Sequence, residues 1–391
     1  MTSVGMVLMV SALYGSYGWA GGLSAANALA WAVGNAALTR LVDRFGQARV
    51  MVPATLVSVA GMGALLAAAW LRAPVWALFP PAVVAGFTGS ACAMVLARWT
   101  HLLGETPRLH TAFSWESTLN EITYIVGPVV VTFLATALHP VAGLAAPAVL
   151  TLIGGVWLFG GLRATQPPIG DATPPGDAAT PPGDPTPPGE TSPQDATSPQ
   201  DARPTAPERF NPWTLAPVVG VTAMFGLAFG SVDIAAVAAA TEFGSRGLAG
   251  LALAAMSASS AITGLWYGAR HWTSPLPRRF VIGAGAYAAS AVSLLLAHNI
   301  VMLIVCGFIA GLAVAPSLTN ANSLVRELMP PNRLTEGLGW IGTSIGLGAA
   351  LGAALAGRLI DDFGYIGGYV ATITAAMVVF LIAVVAWRKL G

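Results

Sequence analysis

Residues 39–49 read TRLVDRFGQAR, with Arg40, Asp43, Arg44 and Arg49 inside eleven positions. Ahead of Arg40 the chain carries no charged side chain, and after Arg49 it carries none until Arg72. Charges clustered between long apolar runs mark a short solvated turn between two membrane spans. Composition agrees: 55% of the 391 residues are hydrophobic and 9% charged, with a mean hydropathy of +0.70. Soluble domains carry about 25% charged residues, so this chain could not cover a water-facing core. A transmembrane β-barrel is excluded too, because barrels show short alternating segments instead of continuous apolar runs. The sequence predicts an all-α polytopic membrane protein.

Working outward from the turn, hydropathy predicts spans at about 3–14, 19–38, 51–71, 75–97, 112–137, 141–161, 214–239, 247–268, 280–297, 300–324, 337–357 and 364–387. These twelve fall into two sets of six. Residues 1–39 are too few for two full helices and a turn, so either the first helix is short or the native start lies upstream of Met1. Between the sets, residues 171–202 form a degenerate Pro/Gly/Asp/Thr repeat holding six of the seventeen acidic residues. Without an apolar face it is expected to be an extended linker. A cytoplasmic linker puts fifteen basic residues on the same side, including Arg40, Arg44 and Arg49, and only Arg72, Arg246 and Arg358 opposite. That asymmetry is the positive-inside pattern, with both termini cytoplasmic.

The formal net charge of +1 argues against a nucleic-acid partner. Cys92 and Cys306 lie inside apolar runs and suggest no disulfide framework. GTSIG (342–346) fits the G-x-S-x-G string but sits mid-helix, with no strand context and no credible histidine partner. Lys389 is the only lysine, so no Walker A motif exists. The histidines lack metal-ligand spacing. Neither an enzyme nor a metal or cofactor site is expected.

The two sets also align at a constant offset of 225. Arg108-Leu109 matches Arg333-Leu334, Trp115 matches Trp340, Thr118 matches Thr343 and Gly127 matches Gly352. Duplicated halves around a midplane site are a secondary-transporter architecture.

On these residues the chain resembles the major facilitator superfamily, over nearly all its length outside residues 165–211. Members share a turn between helices 2 and 3 close to G-x-L-x-D-R-x-G-R-R. Leu41, Asp43, Arg44 and Gly46 match it; Thr39, Gln47 and Ala48 depart from it. The resemblance implies two six-helix halves related by a pseudo-two-fold axis, at 1–163 and 212–391, joined by a linker at 164–211. It also implies that Asp43 accepts hydrogen bonds at a helix end of the other half when the protein faces outward. Asp43, Arg44 and Gly46 are then a latch closing the cytoplasmic side. A second family signature, found in exporters, is half present as Gly127-Pro128.

Charges inside spans are expensive and usually functional. Glu121 in span 5 and Asp233 in span 7 are the candidates. Ser117, Asn120, Glu121, Tyr124 and Gly127 recur at helical spacing, and loss of hydration favours a protonated carboxyl, so Glu121 is read as a proton carrier. Asp233 is read either as a second proton site or as a partly solvated helix-end charge. Glu116 and Glu242 lie near span ends and are read as solvated. Polar stripes predicted to line a substrate cavity include Asn27 and Trp31 with Ser24 and Asn35, Asn120 and Tyr124, Tyr267 with Ser260 and Thr263, and Asn320 with Thr319 and Ser323. Each could equally hold helices together. The reading is a monomeric, proton-coupled exporter of small organic compounds in a bacterial cytoplasmic membrane. Its partners are substrate, protons and bilayer. An uptake permease or uniporter on the same scaffold, or a non-transporting receptor or scaffold, is the rival.

Overall fold

The computed structural model describes residues 2–104, 106–161, 216–270, 272–329 and 334–390. Among the described residues there are helices and connections and no strand. In a hydrocarbon environment a backbone must satisfy its own hydrogen bonds, and a helix does so within one segment. The first half contains α1 (Thr2–Tyr14), α2 (Tyr17–Phe45), α3 (Gln47–Trp70), α4 (Phe79–Gly86), α5 (Ala91–Leu103), α6 (Pro107–Ala137) and α7 (Ala142–Val156), which ends in a wider turn at Trp157–Gly161. The second half contains α8 (Ala216–Glu242), α9 (Ala249–Ala269), α10 (Leu276–Val292), α11 (Ile300–Gly311), α12 (Val314–Leu328), α13 (Leu334–Phe363) and α14 (Tyr365–Leu390). The expected linker at 164–211 lies outside the described residues.

Two spans are built from two helices each. α4 and α5 are interrupted at residues 87–90, where Ser90 caps α5 through Ala93 N–H. Asn35 of α2 accepts the Ser90 N–H at 2.8 Å, so the broken backbone finds a partner on a neighbouring helix. α11 and α12 are interrupted at Leu312 and Ala313, beside Gly311, whose bare α-carbon lies against Met256 of α9. Among the described residues, ten stretches are long and apolar enough to cross a membrane. α1 is shorter: its 13 residues rise about 20 Å, against a hydrocarbon core of about 30 Å. It is nonetheless an interior helix, with Val4 to Val10 buried around its whole circumference.

The charged stretch is more helical than hydropathy suggests. Arg40, Asp43 and Arg44 belong to the last two turns of α2, and the break is a single residue, Gly46, at φ +85°. Only glycine adopts that conformation without strain, which lets α3 begin at once.

The core is distributed unevenly between the two ends of the bundle, named here for Asp43 and Asp361. Toward the Asp361 end one apolar cluster takes residues from both halves: Val4, Leu8, Leu23, Leu65 and Leu144 from the first, Ile234, Val237, Leu303, Ile360 and Tyr369 from the second. Toward the Asp43 end the halves have separate clusters. Leu38, Val42, Met51, Met94 and Phe159 form one; Val221, Phe225, Phe280, Leu324 and Ile341 belong to the other.

Candidate functional site

The seam between the halves is set by α2 and α13, which run antiparallel. At the Asp361 end their backbones touch: a β-carbon on Gly21 would collide with the Ala353 carbonyl, and one on Gly357 with the Tyr17 carbonyl. Further along, Gly346 meets the Trp31 ring, 3.7 Å from a built β-carbon. At Gly342 nothing lies within 4 Å. The two helices diverge steadily toward the Asp43 end. α8 packs on the other flank of α13 along small residues, with Gly226 and Gly230 against Ile345 and Ala349, and Gly348 and Gly352 against Ala223 and Leu227. Gly348 and Gly352 thus let α13 pack closely on α8, while Gly342 faces open space.

The Asp361 end is tied by polar contacts that hydropathy does not reveal. The Asp361 carboxylate accepts from Tyr17 N–H at 2.7 Å, Gly18 N–H at 2.8 Å and the Ser16 hydroxyl at 2.7 Å. Ser16 in turn accepts from Trp19 N–H at 3.2 Å. The first three N–H groups of α2 are therefore satisfied, two of them by the opposite half. Arg246 donates to the Leu8 carbonyl at 2.8 Å and the Ser11 hydroxyl at 2.6 Å, tying the α8–α9 connection to α1. Glu242, expected to be merely solvated, accepts the Tyr365 N–H at 2.9 Å and caps α14.

Nearer mid-depth, acidic groups from both halves converge on Tyr124. Its hydroxyl lies within electrostatic reach of Asp233 on α8, Glu121 on its own helix and Cys92 on α5. Asp233 lies close to the side chain of Ser3 on α1. Glu116, also expected to be solvated, lies within electrostatic reach of Cys92. Cys92 and Cys306 are free thiols. Glu121 and Asp233 are both half-buried, and Tyr124 and Asn120 are exposed. Two turns on from Glu121, Pro128 cannot donate a backbone hydrogen bond. A β-carbon on Gly250 of α9 would collide with its carbonyl and lie 2.7 Å from Thr132 Oγ1. The Gly127-Pro128 stretch is thus a close contact between α6 and α9 of opposite halves.

The remaining stripe residues divide. Trp31 is exposed on the seam, against Gly346. Asn27 donates to the Ala82 carbonyl at 2.9 Å and holds α2 to α4. Tyr267 and Asn320, predicted to line the cavity, are buried and bonded to each other at 2.8 Å, and Asn320 also donates to the Arg279 carbonyl at 3.2 Å. Here the polar groups satisfy one another and fasten α9, α10 and α12 together. Ser344 of the G-x-S-x-G string is buried mid-helix and bonded to Thr222 at 2.7 Å. The side chain of Ser117 lies outside the described residues.

At the Asp43 end, Asp43 and Arg44 are exposed, and neither has an ion pair or hydrogen bond among the described residues; Arg44 lies over the Phe45 ring at 5.2 Å. Gln47, one of the departures from the family pattern, is buried and accepts from Arg98 Nε at 2.8 Å, while Arg98 also donates to the Leu158 carbonyl at 2.7 Å. The arginine thereby joins the ends of α3, α5 and α7 without a neighbouring acid.

Two halves of membrane-spanning helices, fused at one end and parted at the other around an acidic mid-depth cluster, define a polytopic membrane transporter. The family model described as Major Facilitator Superfamily matches residues 1–216 and 218–390, and the chain belongs to that family. No curated protein matches it. Among solved structures, a mutant of the nucleoside transporter NupG superposes with a TM-score of 0.70 at 14% identity, covering 100% of this chain and 94% of that one. A mutant of the peptide transporter POT gives 0.67 at 12%, covering 99% and 91%. A bacterial homologue of the iron transporter ferroportin, in its inward-facing state, gives 0.67 at 11%, covering 99% and 95%. At such identities the likeness is one of fold. The family makes the chain a transporter and not an enzyme.

Proposed function

We propose that this transporter exports small organic compounds from the bacterial cytoplasm in exchange for protons, by alternating access. The observation that carries the reading is the approach of Glu121 and Asp233, from opposite halves, to the same tyrosine, Tyr124. An ionised carboxylate at mid-depth costs about 3 kcal/mol even on the mildest scales. A proton is the natural counter-charge for a carboxylate that is exposed in turn to two aqueous phases. Acidic groups at this depth favour neutral or cationic amphipathic substrates, with Trp31, Asn120 and Tyr124 offering the exposed contact surface. Tyr267 and Asn320 act in this reading as the fastening of the second half. Asn27 serves the first half in the same way.

The arginine asymmetry supports a cytoplasmic Asp43 end, both termini on that side and a linker at 164–211 between bundles 1–163 and 212–391. The separated cores at that end then correspond to an inward-facing state. In it Asp43, Arg44 and Gly46 form the disengaged cytoplasmic latch. The half-present exporter signature at Gly127-Pro128, which packs against Gly250 of the other half, favours export. The transporter acts as a monomer.

Reconstitution in proteoliposomes with an imposed proton gradient tests the assignment. Glu121→Gln keeps volume and hydrogen bonding but carries no exchangeable proton. It should still bind and exchange substrate while losing accumulation against a gradient. Accumulation at the wild-type level would refute Glu121 as the coupling residue.

A further inference from the structure

The stretch around Asp361 repeats the one around Asp43. Residues 40–46 read RLVDRFG and residues 358–364 read RLIDDFG, with Arg, Leu, Asp, Phe and Gly at matching positions. Geometry repeats with sequence. Each stretch ends a long helix, α2 or α13, and each hands over to the next helix through one glycine of positive φ, +85° at Gly46 and +67° at Gly364. The glycine N–H closes the same turn in both, onto Val42 at 2.8 Å and onto Ile360 at 2.9 Å. The two aspartates therefore sit at equivalent places, at opposite ends of the molecule.

They also address each other's helix. Asp361, at the end of α13, caps the start of α2 through Tyr17 and Gly18 N–H and the Ser16 hydroxyl. Continuing the antiparallel register fixed by Gly18 with Asp361, Gly21 with Ala353 and Trp31 with Gly346 places Asp43 opposite Leu334, the first residue of α13. The start of a helix presents free N–H groups and partial positive charge to a carboxylate. With the helices parted at that end, Asp43 has no such partner among the described residues. We propose that Asp361 is the second catch of a two-ended switch: it holds the Asp361 end closed by capping α2 in the present state. It must release when the α2 and α13 termini at the other end close and Asp43 takes up α13. One helix pair thereby carries both catches. Engaging one requires the tilt that frees the other, which makes simultaneous closure of both ends unfavourable and gives the cycle two discrete states. The proposal rests on alternating access but on no substrate and no direction.

A surface-exposed helix cap changes an equilibrium by about five- to thirtyfold when removed. The test uses full-length protein with Cys92→Ser and Cys306→Ser. Spin-label pairs at Leu71/His298 report the Asp361 end, and pairs at Ala48/Thr273 report the Asp43 end. Asp361→Asn should raise the population open at the Asp361 end by about tenfold and shorten the Ala48/Thr273 distance in parallel. Ser16→Ala should act in the same direction but less. Asp43→Asn should act oppositely, deepening the population closed at the Asp361 end. Unchanged distances in Asp361→Asn, with Asp43→Asn shifting as expected, would overturn the second catch while leaving alternating access intact. A protein in which neither variant and no added substrate moves either pair would overturn the catch together with the alternating-access reading. Asp361→Glu, which keeps the charge, should restore part of the wild-type distribution; failure of both Asn and Glu with equal loss of folded protein would assign Asp361 to stability alone.

Discussion

The two ends of the molecule are built from nearly the same sequence and stand in opposite states. At one, Leu23 and Ile360 lie in a core shared by both halves, α2 and α13 touch backbone to backbone, and Asp361 is bonded three times. At the other, Val42 and Ile341 lie in separate cores and Asp43 reaches no described partner. The difference cannot come from the helix-terminating motifs themselves, since both contain Leu, Asp, Phe and a left-handed glycine. It comes from whether the facing helix is near enough to be capped. Closure in this fold is thus a matter of helix tilt, with the polar contacts recording which tilt is adopted.

The largest way to break the comparison is to keep the closed end from closing. Gly21→Leu places a side chain where the Ala353 carbonyl already sits. Overpacking of this kind costs about 1–3 kcal/mol or more. Expected outcomes are loss of the closed state at the Asp361 end in spin-label distances and loss of most transport, with the protein still inserted. The equivalent change at the open end, Gly342→Leu, meets no neighbour in the present state and should leave this state's stability unchanged.

Removing the second tie across the same end should matter less. Arg246→Ala deletes two hydrogen bonds to α1. Bonds from a charged donor contribute about 1.5–3 kcal/mol, and partial solvation brings this pair toward the lower figure. Faster modification of a cysteine placed at Leu13 by a thiol reagent would register the loosening. An unaltered rate would mean that the shared apolar core closes this end alone.

Smaller still is the effect expected of Tyr267→Phe. It leaves the buried Asn320 side chain short of one partner, a loss of about 1 kcal/mol in thermal unfolding, without changing substrate affinity. A fall in affinity with unchanged stability would return Tyr267 to the substrate path. Deleting residues 171–202 should have the least effect, because both closures lie in helix contacts; much of the transport rate should survive. Complete loss of flux at normal membrane abundance would show that the segment acts on one of the two ends.

Much of this arrangement was legible in the sequence, and the limits are instructive. The all-α membrane fold and the family followed from long uncharged runs and from Leu41, Asp43, Arg44 and Gly46, because the bilayer leaves the backbone few alternatives; of the twelve expected spans, ten are long and apolar enough to cross among the described residues. Hydropathy also placed Glu121 and Asp233 inside spans, but nothing in their positions revealed that both come within electrostatic reach of Tyr124. Tyr267 and Asn320 showed the limit of helical periodicity: it groups side chains by face without saying whether the face meets a cavity or another helix. Asp361 was missed for a different reason. Lying beside Asp362 at a span end, it reads as a solvated charge, and only comparison of residues 358–364 with residues 40–46 would have singled it out. Glu242 was lost in the same way, since a cap depends on which helix starts nearby.

The central claim is that the two ends exchange states. Distances between spin labels at both ends, Ala48 with Thr273 and Leu71 with His298, in the Cys92→Ser, Cys306→Ser background, test it most directly when followed against an imposed proton gradient. The account predicts two populations in each pair whose proportions move in opposite directions: the Ala48/Thr273 distance shortens as the Leu71/His298 distance lengthens. A single population at both ends, unmoved by the gradient, or distances that lengthen together, would contradict it.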